Sequence, residues 1–373
     1  MNQRIRSICS KIKSYAKRIL KTIFYGLAKI GRAVSRSKTL MFLLFWFLIF
    51  LISVSATANP NMEHYRGISI FWEPLYTYDP ATRTLEDISL NPDEVPVDES
   101  TKTIAWVKLY GPILDSCGSA FVTDATDVIC ASETVDFLTY LRLREDIAGI
   151  FIELNSPGGS QYASDLLFQT LHEISQKIPV YIYVPDLLAS GGVYVAAGAN
   201  KVILSPIAMV GNIGVVFEFL DTSGLEQKIG VRRVVFHSND AKYKTLQGLL
   251  DEDRTDPEDK ALQEILDLAE DRFHQVLLKG RPTVQLDKVK NGLIFTAPKG
   301  VEYGLADAIR ENPKLALLDL LKSLNTHSRV EVYEFYFRPK TDWLSEMLGV
   351  NLQVVSSWLS GAGVEYYPRI MYR

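Results

Sequence analysis

The chain has 373 residues, of which 47% are apolar and 23% charged, as in an ordinary globular protein that buries a substantial core. Its formal net charge of −4 hides an asymmetry, because residues 1–38 carry eleven Lys or Arg and no acid. Without those eleven cations, 29 Lys plus Arg face 44 Asp plus Glu. So acidic a surface repels nucleic acid and anionic lipid, which argues against a nucleic-acid partner.

The first predicted element is a membrane segment over residues 39–58, preceded by a basic cytoplasmic leader over residues 1–38. Leu40 to Ala58 carry no charge, and nineteen helical residues nearly match a hydrocarbon core of about 30 Å. Ala56-Thr57-Ala58 is typical of a signal cleavage site, but the basic leader is long for a secretory signal, which favours an uncleaved anchor. Lys and Arg stay on the cytoplasmic side, so the rest is predicted to lie outside the bacterial inner membrane.

Residues 59–101 are rich in Pro, Asp, Glu and aromatic residues without clear periodicity, which predicts a linker between membrane and domain. Cys117 and Cys130 follow, thirteen residues apart, on the exported side. An oxidising compartment permits a disulfide between them, and buried thiols are equally common. The sequence leaves both alternatives open.

Residues 102–325 are predicted to form one α/β domain. Short β-rich runs alternate with helix-length segments, a pattern typical of β-α-β units and a mainly parallel sheet. The clearest helix begins after Asp256-Pro257 and ends at Gly280, and another covers Ala163 to Gln176. The predicted strands are Ile104 to Leu109, Ile147 to Leu154, Val180 to Val184, Lys201 to Leu204, Val215 to Phe219 and Val231 to Phe236.

Residues 326–373 are predicted to form a C-terminal tail. Alternation over residues 330–337 is followed by a helical stretch that contains Trp343 and Trp358. Packing onto the domain is the favoured interpretation, with a partner surface or a membrane contact as the alternatives.

The strongest chemical signal is a pair of separated glycine motifs. Residues 155–159 read Asn-Ser-Pro-Gly-Gly and close one predicted strand, and residues 189–192 read Ala-Ser-Gly-Gly. The glycines of the first motif allow backbone N–H groups to donate hydrogen bonds to the carbonyl oxygen of a substrate. The second motif can expose the hydroxyl of Ser190 beside those groups. Either motif alone would be read as a tight turn or a helix cap. Together they predict an acyl-transfer site.

A serine nucleophile needs a base, and the sequence offers no obvious histidine. Ser190 lacks the G-x-S-x-G pattern, and His237 follows a strand without a recognisable triad context. Metal-binding spacings such as H-E-x-x-H are absent from the sequence, so no metal is predicted. A desolvated lysine is an alternative base, and Lys242 and Lys244 follow the last predicted strand, although spacing alone would make them ordinary solvated lysines.

Four motifs in order resemble the signal peptide peptidase A (SppA) family, and most nearly its SohB-like membrane-anchored members. They cover residues 152–159, 189–194, 210–215 and 242–245, within a resemblance that spans residues 102–312. The resemblance implies a Clp protease/crotonase-like spiral of β-α-β units after one transmembrane helix. It also implies a peptidase without a cofactor.

The resemblance assigns roles to individual residues of this chain. Ser190 would be the nucleophile and Lys244, which follows Tyr243, the general base, with Lys242 as the fallback. The oxyanion hole would use Gly158, Gly159 and Gly191. Asn212 stands where the family usually has a lysine-orienting serine, and Ala241 stands where it usually has a glycine. Single-copy relatives form homo-oligomeric rings that share the Ser-Lys dyad between subunits.

The sequence therefore predicts a serine endopeptidase that cuts extended apolar peptides, such as cleaved signal peptides, on the periplasmic side. The first alternative is an inactive scaffold of the same fold, which the departures at Asn212 and Ala241 would favour. The second is a crotonase-type acyl-CoA enzyme, which would need cytoplasmic coenzyme A and so conflicts with export.

Overall fold

A computed structural model shows an α/β fold between residues 62 and 339. It describes residues 62–66, 68–87, 101–117, 128–218, 220, 222–232, 234, 236, 238–239 and 256–339. The strands are β1 (Met62–Tyr65), β2 (Ile68–Asp79), β3 (Thr84–Asp87), β4 (Lys102–Tyr110), β5 (Ile113–Leu114), β6 (Ile129–Cys130), β7 (Ile147–Asn155), β8 (Val180–Val184), β9 (Leu187–Ala189), β10 (Lys201–Leu204), β11 (Met209–Gly211), β12 (Ile294–Thr296), β13 (Ala308–Ile309) and β14 (Val330–Pro339). The helices are α1 (Ala131–Leu143), α2 (Gln161–Ser175), α3 (Gly191–Ala196), α4 (Ser223–Ile229), α5 (Asp256–Gly280), α6 (Leu286–Val289), α7 (Ala297–Glu302) and α8 (Pro313–Ser323).

The main sheet is mostly parallel, which confirms the predicted α/β class. Within the described ranges its order is β1-β2-β14-β4-β7-β8-β10-β13, and β3 pairs with β2. The five strands from β4 to β13 are parallel to one another, and helices occupy several of their crossovers. Two small sheets accompany it, one of β12, β11 and β9 and one of β5 and β6.

Burial on both faces explains the sequences of the central strands. All five residues of β8 are buried, as is typical of parallel strands covered on two sides. One core cluster joins residues of α1, α2 and α3 to one face of the sheet. A second cluster joins Leu317 and Leu321 of α8 to the other face, where Trp106 packs edge-on against Phe151 at 4.8 Å. The sheet therefore forms the middle of a three-layer domain.

Most predicted elements of the domain are confirmed. The strands at residues 104–109, 147–154, 180–184 and 201–204 all form, and α5 ends at Gly280 as predicted. The strands predicted at Val215 to Phe219 and Val231 to Phe236 do not form among the residues described there. No described strand pairs with these two segments, and Val216, Val231 and Phe236 are exposed by 49%, 53% and 93%.

Two long strands, β2 and β14, lie within the segments predicted as a linker (residues 59–101) and as a tail (residues 326–373). β2 runs antiparallel to β14, from Tyr78 opposite Val330 to Ile68 opposite Pro339, and β14 is parallel to β4 on its other side. Local sequence could not predict this pairing because the partners lie more than 250 residues apart. The rest of the tail, with Trp343 and Trp358, lies outside the described residues.

A disulfide adjoins the small sheet of β5 and β6. Leu114 pairs with Cys130, and Cys117 forms a disulfide with Cys130 at a Cα–Cα distance of 5.4 Å. The structure thus selects the disulfide from the two alternatives that the sequence left open.

Among the residues that the structure describes, none of the helices combines the length and the apolar character needed to cross a bilayer. The predicted membrane segment over residues 39–58 and the leader over residues 1–38 lie outside the described residues.

The first prediction concerns β14, whose Val332 is completely buried. Replacing Val332→Asp should lower the free energy of unfolding by more than about 3 kcal/mol, because a carboxylate would be buried there without a partner. Urea unfolding of the full chain in detergent, followed by circular dichroism, measures the change. The control Leu315→Asp, at a 40% exposed position in the first turn of α8, should change stability by less than about 0.5 kcal/mol. Equal effects of the two substitutions would contradict this role of β14.

Candidate active site

Ser190 occupies a strained turn between β9 and α3. Its φ of 49° and ψ of −119° lie in a region that residues with a side chain rarely adopt. Two hydrogen bonds hold the turn: the Ser190 N–H donates to the Gly211 carbonyl at 2.9 Å, and the Tyr194 N–H donates to the Ser190 carbonyl at 3.1 Å. The Ser190 hydroxyl does not cap α3, and it lines an open pocket. The turn therefore presents this hydroxyl to a ligand.

Gly158 packs directly against Ser190. Its φ is 99°, and a Cβ at this position would lie 2.8 Å from the Ser190 Cβ and 2.6 Å from the Gly191 nitrogen. Real Cβ atoms do not approach that closely, so this contact requires glycine. The Asn-Ser-Pro-Gly-Gly and Ala-Ser-Gly-Gly motifs, which the sequence predicted to act together, are therefore in contact.

The three glycines predicted as oxyanion donors differ in the state of their N–H groups. The Gly158 N–H donates to Ser156 Oγ at 3.1 Å, so it is already engaged. The N–H groups of Gly159 and Gly191 have no acceptor among the described residues. These two groups are adjacent, since a Cβ on Gly191 would lie 3.2 Å from the Gly159 nitrogen. They can donate to one oxygen placed beside Ser190.

Part of the wall of the pocket beside Ser190 is apolar. Its volume is about 410 Å³ including the open mouth. The apolar wall combines Val215 and Val216 with two residues of α5, Ala269 and Phe273, which are themselves buried. Such a wall suits an apolar side chain next to the group that the hydroxyl attacks.

Asp165 of α2 connects the pocket wall to α5. Its carboxylate accepts hydrogen bonds from the Tyr194 hydroxyl at 2.5 Å and from Arg272 at 2.7 Å, and it also contacts Gln169. Burial acts to raise the pKa of Asp165, but the hydrogen bonds from Tyr194, Arg272 and Gln169 outweigh it and lower the pKa below its usual value of 3.8. Burial and the same contact raise the pKa of Tyr194, so its hydroxyl remains a donor.

Asn212 adjoins Ser190 through the backbone. The preceding Gly211 accepts the hydrogen bond from the Ser190 N–H, and the Asn212 N–H donates to the Leu293 carbonyl at 2.7 Å. Asn212 has a φ of 54°, which Asn tolerates better than most residues. The predicted bases Lys244 and Lys242, together with Ala241 and His237, lie outside the described residues.

Several residues of the site were not predicted from the sequence. Ser156 donates to the Gly111 carbonyl at 2.8 Å while it accepts the Gly158 N–H, and a Ser two residues before Gly is a recognisable turn signal. Asp165 and Phe273 carried no such signal, because their partners are distant in the chain: Asp165 of α2 bonds Arg272 of α5, and Phe273 of α5 packs against Tyr194 of α3.

The Asp165 cluster gives a prediction of pH dependence. A carboxyl group whose pKa is lowered by folding stabilises the protein above its unfolded pKa, and this contribution is lost as the pH falls through the folded pKa. Asp165→Asn should therefore lower the free energy of unfolding by about 1 kcal/mol at pH 7, a value reduced for the exposure of Arg272. The difference from wild type should shrink below pH 3.8.

Denaturant unfolding at pH 7 and pH 3 measures both differences. Asp287→Asn is the matched control, because Asp287 also bonds a cation, Lys290, but is solvent-exposed, so its loss should have little effect. A constant Asp165→Asn difference across this range would contradict the assignment.

Gly158 gives a prediction for the nucleophile. Gly158→Ala should reduce the labelling rate of Ser190 by a serine-reactive fluorophosphonate at least about 100-fold, because the added Cβ overlaps the turn that presents the hydroxyl. The control Gly224→Ala adds a Cβ that meets nothing within 4 Å and should label at the wild-type rate. Normal labelling of a folded Gly158→Ala protein would disprove the required close contact.

Two protein families match this chain by sequence. The model of peptidase family S49 matches residues 172–322, and the model of the Clp protease family matches residues 101–210. The two matches overlap across Ser190 and together cover the α/β domain from β4 to α8. With the parallel sheet of β-α-β units, they support the predicted Clp-protease-like fold.

Individual relatives agree with these families. The chain is 34% identical over 57% of its length to a protein called a putative signal peptide peptidase SppA from Enterococcus faecium, and it covers 62% of that protein. It is 27% identical over 55% of its length to a probable protease SohB from Haemophilus influenzae, and covers 56% of it. A mutant ClpP1 from Listeria monocytogenes is 15% identical, with a TM-score of 0.34, over 57% of this chain and 94% of that one. Its motifs and these sequence matches support an SppA- and SohB-like relationship to peptidase family S49.

Proposed function

We propose that this protein is a serine endopeptidase that uses a Ser-Lys dyad. The observation that carries the proposal is the placement of Ser190, on its strained turn, beside the N–H groups of Gly159 and Gly191, which have no acceptor among the described residues. A strained backbone that its surroundings hold in place is a common feature of catalytic nucleophiles. The sequence match to family S49 supports peptide bonds as the substrate.

The reaction follows from these groups. The Ser190 Oγ attacks the scissile carbonyl carbon, and its proton passes to the neutral amine of Lys244. The carbonyl oxygen becomes negative and accepts hydrogen bonds from the Gly159 and Gly191 N–H groups. The C–N bond breaks, the leaving amine takes the proton from Lys244, and a water molecule then hydrolyses the acyl-enzyme.

The pocket supports extended apolar substrates. A wall of Val215, Val216, Ala269 and Phe273 favours an apolar side chain beside the scissile bond and offers no charged partner. Remnant signal peptides have this character, and the predicted anchor over residues 39–58 would hold the site next to the membrane that contains them. The proposed location is the outer face of the bacterial inner membrane.

Exposed apolar residues support a homo-oligomeric ring. α4 exposes Leu225 and Ile229 by 60% and 65%, and the first half of α5 exposes Ile265 and Leu268 by 55% and 73%. Exposed apolar surface of this kind is typical of an interface between protein subunits. Phe236 is also exposed, by 93%. In such a ring, Lys244 of one subunit would act on Ser190 of the next.

Removal of Ser190 and of each lysine tests the proposal. In full-length protein in detergent, Ser190→Ala and Lys244→Met should each reduce the hydrolysis of an apolar peptide library at least about 1,000-fold, because both act in bond cleavage. Lys242→Met is the matched control and should retain most of the activity. The wild-type rate should rise with pH as the lysine loses its proton.

The same variants separate the alternatives. Unchanged hydrolysis by Ser190→Ala would disprove the proposed nucleophile. A wild-type Ser190 that fails to react with a fluorophosphonate would instead favour the inactive scaffold, for which Asn212 and Ala241 are the motivating departures. A reporter fused after residue 60 that stays in the cytoplasm would favour the acyl-CoA enzyme.

A further inference from the structure

A short segment outside the glycine motifs orients one of the two free N–H groups. The Ile113 N–H donates to the Gly158 carbonyl at 2.8 Å, and the Ile113 carbonyl accepts the Ser160 N–H at 2.8 Å. Ile113 and Gly159 form a parallel β-bridge, and both of its hydrogen bonds are made by the backbone of Ile113. In such a bridge, the N–H and C=O of Gly159 point away from Ile113. The contact is close, since a Cβ on Gly159 would lie 2.1 Å from the Ile113 oxygen. Ile113 thus fixes the orientation of the Gly159 peptide, whose N–H lies in the loop that contacts Ser190.

Asp115 fixes the next residue of the same loop. Its carboxylate accepts a hydrogen bond from the Ser160 hydroxyl, and Ser160 directly follows Gly159 and caps α2. The Asp115 carbonyl in turn accepts bonds from the N–H and hydroxyl of Ser132, both at 3.1 Å. Asp115 therefore links the glycine loop to the start of α1.

The disulfide between Cys117 and Cys130 links the end of this segment to the residue before α1. Cys117 lies two residues after Asp115, and Cys130 lies beside Leu114 in the small sheet, immediately before α1. β5 itself ends at Leu114, and the segment after it is linked to the start of α1 by the Ser132 bonds to the Asp115 carbonyl and by the disulfide. A covalent link at its end limits the movement of residues 113–117.

We propose that Asp115 and the Cys117–Cys130 disulfide are positioning elements that keep the Gly159 N–H aimed at the oxyanion of the reaction. The inference rests on the proposed function for its catalytic consequence, but the positioning itself is a property of the fold. Reduction by a dithiol would convert the disulfide to two thiols, with two electrons and two protons supplied by the dithiol, which becomes a cyclic disulfide. The activity would then depend on an oxidising compartment.

The expected effect is on turnover. An oxyanion donor acts mainly on the transition state, so its misplacement lowers kcat and leaves KM nearly unchanged. Reduction should lower kcat about tenfold, with KM within about twofold. Amides of residues 156–163 should exchange with deuterium about tenfold faster, because the loop opens more often.

The experiment uses full-length Cys9→Ser protein in detergent, so that dithiothreitol acts on one pair of cysteines. Oxidised and reduced samples are compared by peptide hydrolysis and by hydrogen–deuterium exchange, with thiol alkylation to verify reduction. Asp115→Ala should reproduce the loss of kcat without reduction. Asp115→Asn keeps an acceptor for Ser160 and should restore most of the turnover, which a purely destabilising change would not do.

A double variant, Cys117→Ala with Cys130→Ala, serves as the control. Its kcat and its exchange rates should equal those of the reduced protein, and dithiothreitol should not change them. If it fails to fold, reduction of the folded protein and the two Asp115 variants still decide the matter. Verified reduction with unchanged exchange and unchanged kcat would overturn the proposal. If the oxidised protein hydrolyses no peptide, the proposed function fails, while the exchange experiment still tests the positioning.

Discussion

The close approach of Gly158 to Ser190 is the contact on which the rest of the site depends. A Cβ added to Gly158 would lie 2.8 Å from the Ser190 Cβ, so there is no room for a side chain at Gly158. Ser190 itself has a positive φ, and the residue lines the pocket. The N–H groups of Gly159 and Gly191 become adjacent only because the two turns are in contact. Their geometry is fixed before a ligand arrives, which is the condition for effective stabilisation of an oxyanion.

The parallel sheet provides the rigidity for this contact. β7 leads into the loop of Gly158 and Gly159, and the neighbouring β8 leads through β9 to Ser190. Both loops leave the same edge of adjacent parallel strands, where α/β proteins usually place their binding sites. Buried side chains on both faces keep the strands in register. Strain at Ser190 is thus supported by the packing of the whole sheet.

Contiguous residues predict the elements of this fold that depend on local sequence. They do not predict the elements that depend on a partner far away in the chain. Four central strands and α5 were predicted because continuous apolar runs and capping residues are local features. β2 and β14 were assigned to a linker and a tail, because the pairing of Ile68 with Pro339 is invisible to a local reading. The described residues of the strand predicted at Val231 to Phe236 lie outside any strand, since β-propensity without a neighbouring strand does not make a sheet.

The sequence by itself determined the family resemblance, the α/β class and Ser190 as the proposed nucleophile, because these follow from motifs of a few contiguous residues. The tertiary structure decided which glycine N–H groups remain free, how Asp165 joins α2 to α5, and that Cys117 pairs with Cys130. Each of these is a matter of direction and distance between segments far apart in the chain. Such relations arise only when the sheet and its helices pack together.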